Sequence, residues 1–258
     1  MQARHWMIIT GHSRGIGYAL TQHSLAQGHA VLGMARHTRE ELVGIAHQHG
    51  SHLEQWVQDL SEGAEATARL QAWMASLHPS DIDHISLVNN AAMLTDLVPL
   101  HKLEPRALAL STRVGLETPM QLMQGFLATT ESWVAQGWRG DRRILNISSG
   151  LGRRAMASSG PYCAVKAGLD LLTRCVALDQ AASPNPTRME SIAPGVIATD
   201  MQVHLRAARP EDFPDHANFV AFHEQQQLAT PEHTAARLFA HLHSERFGQD
   251  ILTDLRAL

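Results

Sequence analysis

Residues 5–20, HWMIITGHSRGIGYAL, read as a short apolar strand, a glycine-rich turn and the opening of a helix. Gly11, Gly15 and Gly17 punctuate the turn in a GxxxGxG spacing. Such a turn lets backbone N–H groups approach a pyrophosphate, and the helix behind it aims its positive dipole end at the same charge. An isolated glycine turn is more often only a tight strand-to-helix connection. Its place directly after the first strand favours the phosphate reading.

Outward from that turn, further apolar runs alternate with helical patterns: AVLGM (30–34), LEQWV (53–57), ISLVNN (85–90), ILNISS (144–149), MESIAP (189–194) and DILTDL (250–255). This alternation predicts an α/β fold, a parallel sheet covered by helices on both faces. With no repeat, low-complexity tract or linker, residues 1–258 are expected to form one domain, and 44% hydrophobic residues are enough for its core. The formal net charge of -4 points to neither nucleic acid nor an anionic membrane as partner. No apolar stretch is long enough to span a bilayer, and no basic, apolar, cleavable leader precedes the first strand, so a cytoplasmic location is expected. Cys163 and Cys175 fall within one predicted helix, too far apart to bridge. Cys163 reads as a small buried filler rather than a reactive thiol.

The chemistry is carried by YCAVK (162–166) and NISSG (146–150). Tyr162 and Lys166, four apart, share one helix face. A phenol near pKa ~10 exchanges its proton reluctantly at neutral pH, and a neighbouring ammonium is expected to acidify it. Ser149 is placed to donate to a substrate oxygen and hold it against the phenol. Taken alone, a tyrosine and a lysine one turn apart arise often by chance. The order TGHSRGIG, NNAA, YCAVK, with Ser149 thirteen positions before Tyr162, does not.

In that ordered set, and in Asp59 of QDLS and the segment IAPGVIATDM (192–201), the chain resembles the short-chain dehydrogenase/reductase family over nearly its whole length. The resemblance implies a Rossmann-type doubly wound fold, a nicotinamide cofactor and a catalytic trio of Ser149, Tyr162 and Lys166. Cofactor contacts are then expected from Gly11, Ser13, Arg14, Gly15, Ile16 and Gly17 in the turn, and from Leu60, Ala91, Tyr162 and Lys166. Asp59 would accept from the adenine amino group, and Asn89 would line the cofactor's path. Pro194, Gly195, Ile197 and Thr199 would border the nicotinamide.

Cofactor choice follows from charge. NAD-binding members end the second strand with an acid that binds the ribose hydroxyls and would repel a phosphate. Here GMARHT (33–38) puts Ala35 in that position and Arg36 after it, with Arg14 on the other side. Two guanidiniums suit a dianionic phosphate, so NADP(H) is the expected cofactor.

Two positions depart from the family. Gly115 stands where an asparagine usually anchors the proton relay behind the lysine, and Ala92 replaces the glycine of NNAG. The segment ESWVAQGWRGDRR (131–143) is unusually long and is expected to be a surface loop. Residues 201–227, with RPEDFPDH, are the least regular stretch: a solvated loop, or the region that in the family closes over substrate. Histidines at 47, 49, 52, 241 and 243 match no catalytic zinc pattern, and no metal is expected.

The C-terminal third, through FHEQQQLATPEHTAARL (222–238) to TDLRAL (253–258), resembles the sepiapterin reductase and benzil reductase branch. That implies reduction of one carbonyl of an α-diketone or similar small ketone. Asp254 falls near a pterin-binding acid of that branch, or serves structure. The alternatives are an alcohol-oxidising dehydrogenase, a 3-ketoacyl-type reductase and a non-catalytic NADP-binding regulator. Leu169, Leu171, Leu172 and Val176 suit burial against the sheet and a partner, and the family expectation is a homodimer or homotetramer.

Overall fold

The seven apolar runs become the seven strands of one sheet in the computed structural model, which describes residues 4–258. Residues 1–3 of the expected 1–258 domain lie outside the described residues. In chain order the elements are β1 (His5–Thr10), α1 (Gly15–Ala26), β2 (Ala30–Ala35), α2 (Glu40–His49), β3 (Leu53–Val57), α3 (Gly63–Ala75) and β4 (His84–Asn89). Next come α4 (Pro105–Thr112), a π-helical turn (Arg113–Glu117), α5 (Thr118–Ala135), β5 (Asp141–Ile147), α6 (Gly160–Gln180) and β6 (Arg188–Ala193). The chain ends with α7 (Asp200–Ala207), α8 (His216–Glu224), α9 (Pro231–Leu242) and β7 (Leu252–Asp254).

The strand order is β3-β2-β1-β4-β5-β6-β7, and every pair is parallel. β1 lies between β2 and β4, with Ile8 level with Leu32 on one side and Leu87 on the other. The connections from β1 therefore run one way and those from β4 the other, which opens a crevice at their carboxyl ends. Parallel strands must be covered on both faces, which is why β1, β2 and β4 are almost wholly buried. One face packs Trp6, Ile8, Leu32 and Ile85 against α3 and α5, through Leu70, Met74, Leu122 and Phe126. The other packs Met7, Ile9, Val31 and Val88 against α1 and α9, through Leu20, Leu25, Ala235 and Leu238.

Two expectations are corrected here. The segment 131–143 is not a surface loop: its start completes α5, its end opens β5, and Trp133 and Trp138 are buried edge-to-face 5.5 Å apart. Trp138 donates its indole N–H to the Ile82 carbonyl at 2.8 Å, and Arg142 is fully buried between Glu131, Thr130, Ser183 and the Asn185 carbonyl. Residues 201–227 likewise hold α7 and α8, whose apolar side chains form a third cluster with Leu97, Met156, Leu205, Phe213 and Phe219. Burying those side chains outweighs the polarity of the intervening RPEDFPDH.

Candidate active site

A cleft of about 890 Å³ runs across the carboxyl ends of β1, β2, β4, β5 and β6. The glycine turn forms its floor. Gly11 and Gly15 have φ of +70° and +55°, where a side chain is strained. At Gly17 a Cβ would lie 2.3 Å from the Gly11 carbonyl oxygen, so its glycine lets α1 close onto the turn. Next to the turn His12 is buried against Gly33, with Nε2 3.0 Å from Gln55 Oε1, which fastens the turn to β2 and β3.

Of the residues singled out in the sequence, Gly11, Ser13, Arg14, Gly15, Ile16, Arg36, Asp59, Leu60, Ala91, Pro194, Gly195, Ile197 and Thr199 all line this cleft. So do Ser149, Tyr162 and Lys166. Gly17 stands behind the wall. Asn89 is also outside it: buried at the end of β4, it donates to Asn146 Oδ1 on β5 at 2.8 Å. The next residue, Asn90, lines the cleft instead and donates to the Thr10 carbonyl at 2.9 Å. Strand alternation sends neighbouring side chains to opposite faces, and the register Asn89 to Asn146 decides which asparagine turns inward.

The end of the cleft at β2 is basic. Arg36 and Arg39 line it with Arg14, and Arg39 donates to the Ser13 carbonyl at 2.6 Å while Arg14 reaches Asp200 at 3.2 Å. Arg39 was missed by the sequence reading; it lies beyond the strand, and only the pairing of its backbone with Gln55 of β3, at 2.8 and 3.0 Å, brings it back. Asp59 accepts from the Ser61 backbone N–H at 2.8 Å, which holds its carboxyl below its ordinary range.

At the other end, α6 presents Tyr162 and Lys166 to Ser149, which follows β5. Lys166 is buried, and its Nζ donates to the Ile147 carbonyl at 2.7 Å and lies 5.7 Å from the centre of the Tyr162 ring. Burial drives both groups toward their neutral forms: the phenol is pushed up to about 12, against the contact with Ser149, and the ammonium down to about 8. This corrects the expected acidification of Tyr162. Desolvation of the phenol is the largest effect on it and outweighs the contact with Ser149, so Tyr162 keeps its proton throughout the neutral range.

Around this trio the cleft is apolar, with Met156, Leu205 and Phe219 among its walls. The segment α7–α8 caps it and is tied down at Asp212. That carboxylate accepts from Lys102 at 2.6 Å and from Arg209, and its backbone carbonyl accepts from Ser158 at 2.5 Å. Asp254 is engaged by the Arg256 guanidinium at 2.9 and 2.6 Å and by the Arg256 N–H at 2.9 Å, a structural use. Gly115, in the π-helical turn, faces Val165: a Cβ there would lie 2.5 Å from its Cγ1, leaving no room for an asparagine.

The histidines sit elsewhere. His47 and His49 end α2, exposed, and the His52 ring lies edge-on to Trp6 at 5.3 Å. His241 bonds Glu190 at 2.8 Å and His243 the Phe239 carbonyl at 2.8 Å. Among the described residues no cluster of metal-binding side chains is present, and no helix is long and apolar enough to cross a membrane.

A family model described as short chain dehydrogenase matches residues 5–210. The "Benzil reductase ((S)-benzoin forming)" of Bacillus cereus is 31% identical over 95% of this chain and 96% of its own. Human L-xylulose reductase is 31% identical over 76% of this chain and 72% of its own. Among solved structures, the KRED1-Pglu enzyme superposes with a TM-score of 0.76 at 25% identity, over 95% of this chain and 98% of its own.

Proposed function

The chain belongs to the short-chain dehydrogenase/reductase family, and on that basis we propose that it is an NADPH-dependent carbonyl reductase acting on an α-diketone or a related small ketone. The observation that carries this reading is the meeting of Ser149, Tyr162 and Lys166 at the apolar end of a cleft whose far end is basic.

The residues present fit a phosphate-bearing dinucleotide. The glycine turn leaves backbone N–H groups uncovered, since side chains at Gly11 or Gly17 would collide with Asn90 or the Gly11 carbonyl. Arg14, Arg36 and Arg39 surround the place where Ala35 substitutes for an acid, which suits the additional phosphate of NADP(H). Bound there, the cofactor supplies a hydride.

The chain's own groups then do the rest. Ser149 and Tyr162 hold the carbonyl oxygen, and Tyr162 gives its proton to the oxygen as negative charge develops on it. Lys166, anchored on the Ile147 carbonyl, supplies positive charge beside the phenol and a donor toward the cofactor's ribose. A phenol held near 12 carries its proton at neutral pH, as a donor to the carbonyl oxygen must. The proposed substrate class follows the curated relatives whose name is benzil reductase and the apolar wall of Met156, Leu205 and Phe219. Exposed Leu171 and Leu178 on α6 suit a second subunit, and we read the chain as a homodimer or homotetramer acting in the cytoplasm.

The test is NADPH oxidation over a panel of benzil, phenyl diones, sepiapterin and simple ketones, repeated with NADH. Turnover is expected with the diones and NADPH. Exclusive activity on a sugar or steroid would overturn the substrate class, and equal use of NADH would overturn the cofactor.

A further inference from the structure

The loop that carries Ser149 and the helix that carries Tyr162 and Lys166 are joined at one buried carboxylate. Asp170 lies one turn beyond Lys166 on α6, and both are buried, at 4% and 2% exposure. Asp170 accepts from Ser191 Oγ of β6 at 2.6 Å and from Arg153 Nε at 3.2 Å. Arg153 closes the short turn that follows Ser149, and its guanidinium also donates to the Thr253 carbonyl at 3.0 Å and the Ser191 carbonyl at 3.2 Å. Gly152 completes the junction. A Cβ there would meet the Lys166 carbonyl carbon at 3.0 Å and Asp170 Oδ2 at 3.1 Å, so the turn rests directly on α6.

A carboxylate taken out of water is costly unless its charge is used. Arg153 uses part of it, from a side chain one-third exposed. Lys166, one helical turn away and not in direct contact, is the other, buried cation, and its ammonium has a single hydrogen bond among the described residues, to a neutral carbonyl. The charged or titratable groups around it are Tyr162 and Asp170 on its own helix and Arg153 on the Ser149 loop. β5 offers Lys166 the Ile147 carbonyl, β6 offers Ser191 to Asp170, and the π-helical turn sets Gly115 against Val165, with its charged Arg113 and Glu117 exposed. Burial lowers Lys166, and Asp170 is the group that opposes it.

We propose that Asp170 is a positioning residue for this site: through Arg153 it fixes the loop that carries Ser149, and across one helical turn it supplies the buried counter-charge that keeps Lys166 an ammonium. Its kinetic consequence rests on the reductase reading; its effect on Lys166 does not.

Lys102 and Lys166 are the only lysines in the chain, so protein labelled with ¹³C-lysine gives one buried and one surface side-chain signal to titrate. In the wild type the Lys166 signal is expected to titrate at about 8. Asp170→Asn keeps an acceptor and removes the charge, and the midpoint should fall by about one unit. Arg153→Met removes a competing cation, so the midpoint should stay or rise, while turnover drops ~10-fold or more as Ser149 loses its seat.

NADPH affinity should stay within about twofold in both variants, since neither residue lies in the wall of the cleft. A role in stability alone would lower the melting temperature and leave the lysine titration unmoved. An unmoved midpoint in Asp170→Asn, or a fall of equal size in both variants, would overturn the proposal. If Asp170→Asn does not fold, Arg153→Met decides: a lower midpoint, or undiminished turnover, sinks it. A wild type that oxidises NADPH with no carbonyl compound removes the reductase reading, and the titration still decides the role of Asp170.

Discussion

At the amino end of the sheet, Asp141 accepts from His84 at 3.2 Å, from Arg143 at 2.7 Å and from Arg188 at 2.7 Å, and Arg143 also reaches the Leu242 and Ser244 carbonyls. Beside it the rings of His5, His29, His84 and His243 meet edge-on or tilted at 4.7–5.9 Å. At the carboxyl end, Arg36 and Arg154 line the cleft with no ion pair among the described residues, and buried Lys166 holds one carbonyl. Both ends are dense in titratable groups. At the base the charged groups pair with one another and the buried histidines stay neutral, although His29 Nδ1 and His243 Nε2 have no hydrogen-bond partner among the described residues; in the cleft those two arginines keep their charge without an ion pair. Formal charge that the protein does not pair with its own groups marks the end where a ligand belongs, which a count of charged residues would not reveal.

Four substitutions would break or sharpen that contrast. The largest effect is expected from Tyr162→Phe, which removes the proton donor: turnover should drop by about 10²–10⁴ while NADPH binding measured by fluorescence stays largely intact. Retained turnover would refute the assignment. With Tyr18 the only other tyrosine, the wild-type phenolate absorbance should show Tyr162 titrating near 12.

Next comes Arg36→Ala. Losing a charge-assisted contact to the additional phosphate should raise the KM for NADPH by ~10–100-fold and leave NADH nearly unaffected. An equal change for both cofactors would mean that Arg36 belongs with the self-neutralised charges.

Gly115→Asn, which restores the family's residue, should destabilise the fold by about 1–3 kcal/mol, because the new side chain meets Val165. Chemical denaturation measures this. Adding Val165→Ala should recover most of the loss, and a single variant as stable as the wild type would contradict the packing described.

The smallest effect belongs to the base. Burial holds His29 down to about 3 and His243 down to about 4, whereas an unfolded histidine titrates near 6.5. The unfolded chain therefore takes up protons first as pH falls. Their stability contribution is complete above about 6.5 and is lost on descent toward 4, at about 1.4 kcal/mol per pH unit for each proton. His29→Phe should flatten that decline in melting temperature and leave activity at neutral pH unchanged. An equally steep acid limb in the variant would show that other groups set it.

The legible parts of this chain were those whose signal is local. Strands buried on both faces read as unbroken apolar runs, and the glycine turn and YCAVK carry their chemistry within a few residues. What tertiary packing decides was hidden. RPEDFPDH looks solvated because its one fully buried side chain, Phe213, is surrounded in sequence by charge. The segment 131–143 looked like a loop because Gly137 and Gly140 interrupt it, while Trp133, Trp138 and Arg142 find partners on distant segments. Asn89 and Asn90 differ by one residue of strand parity. Charge counting also misjudged Tyr162, since a cation's attraction is visible in a sequence and the dryness around a phenol is not.

The clamp on the cap has a practical side. Lys102, which bonds Asp212 between α7 and α8, is the one lysine besides buried Lys166. Apart from the amino terminus, it is the amine that an amine-reactive dye would find first. A reporter attached there would sit on the seam between cap and body, and opening of the cleft would become a change in light.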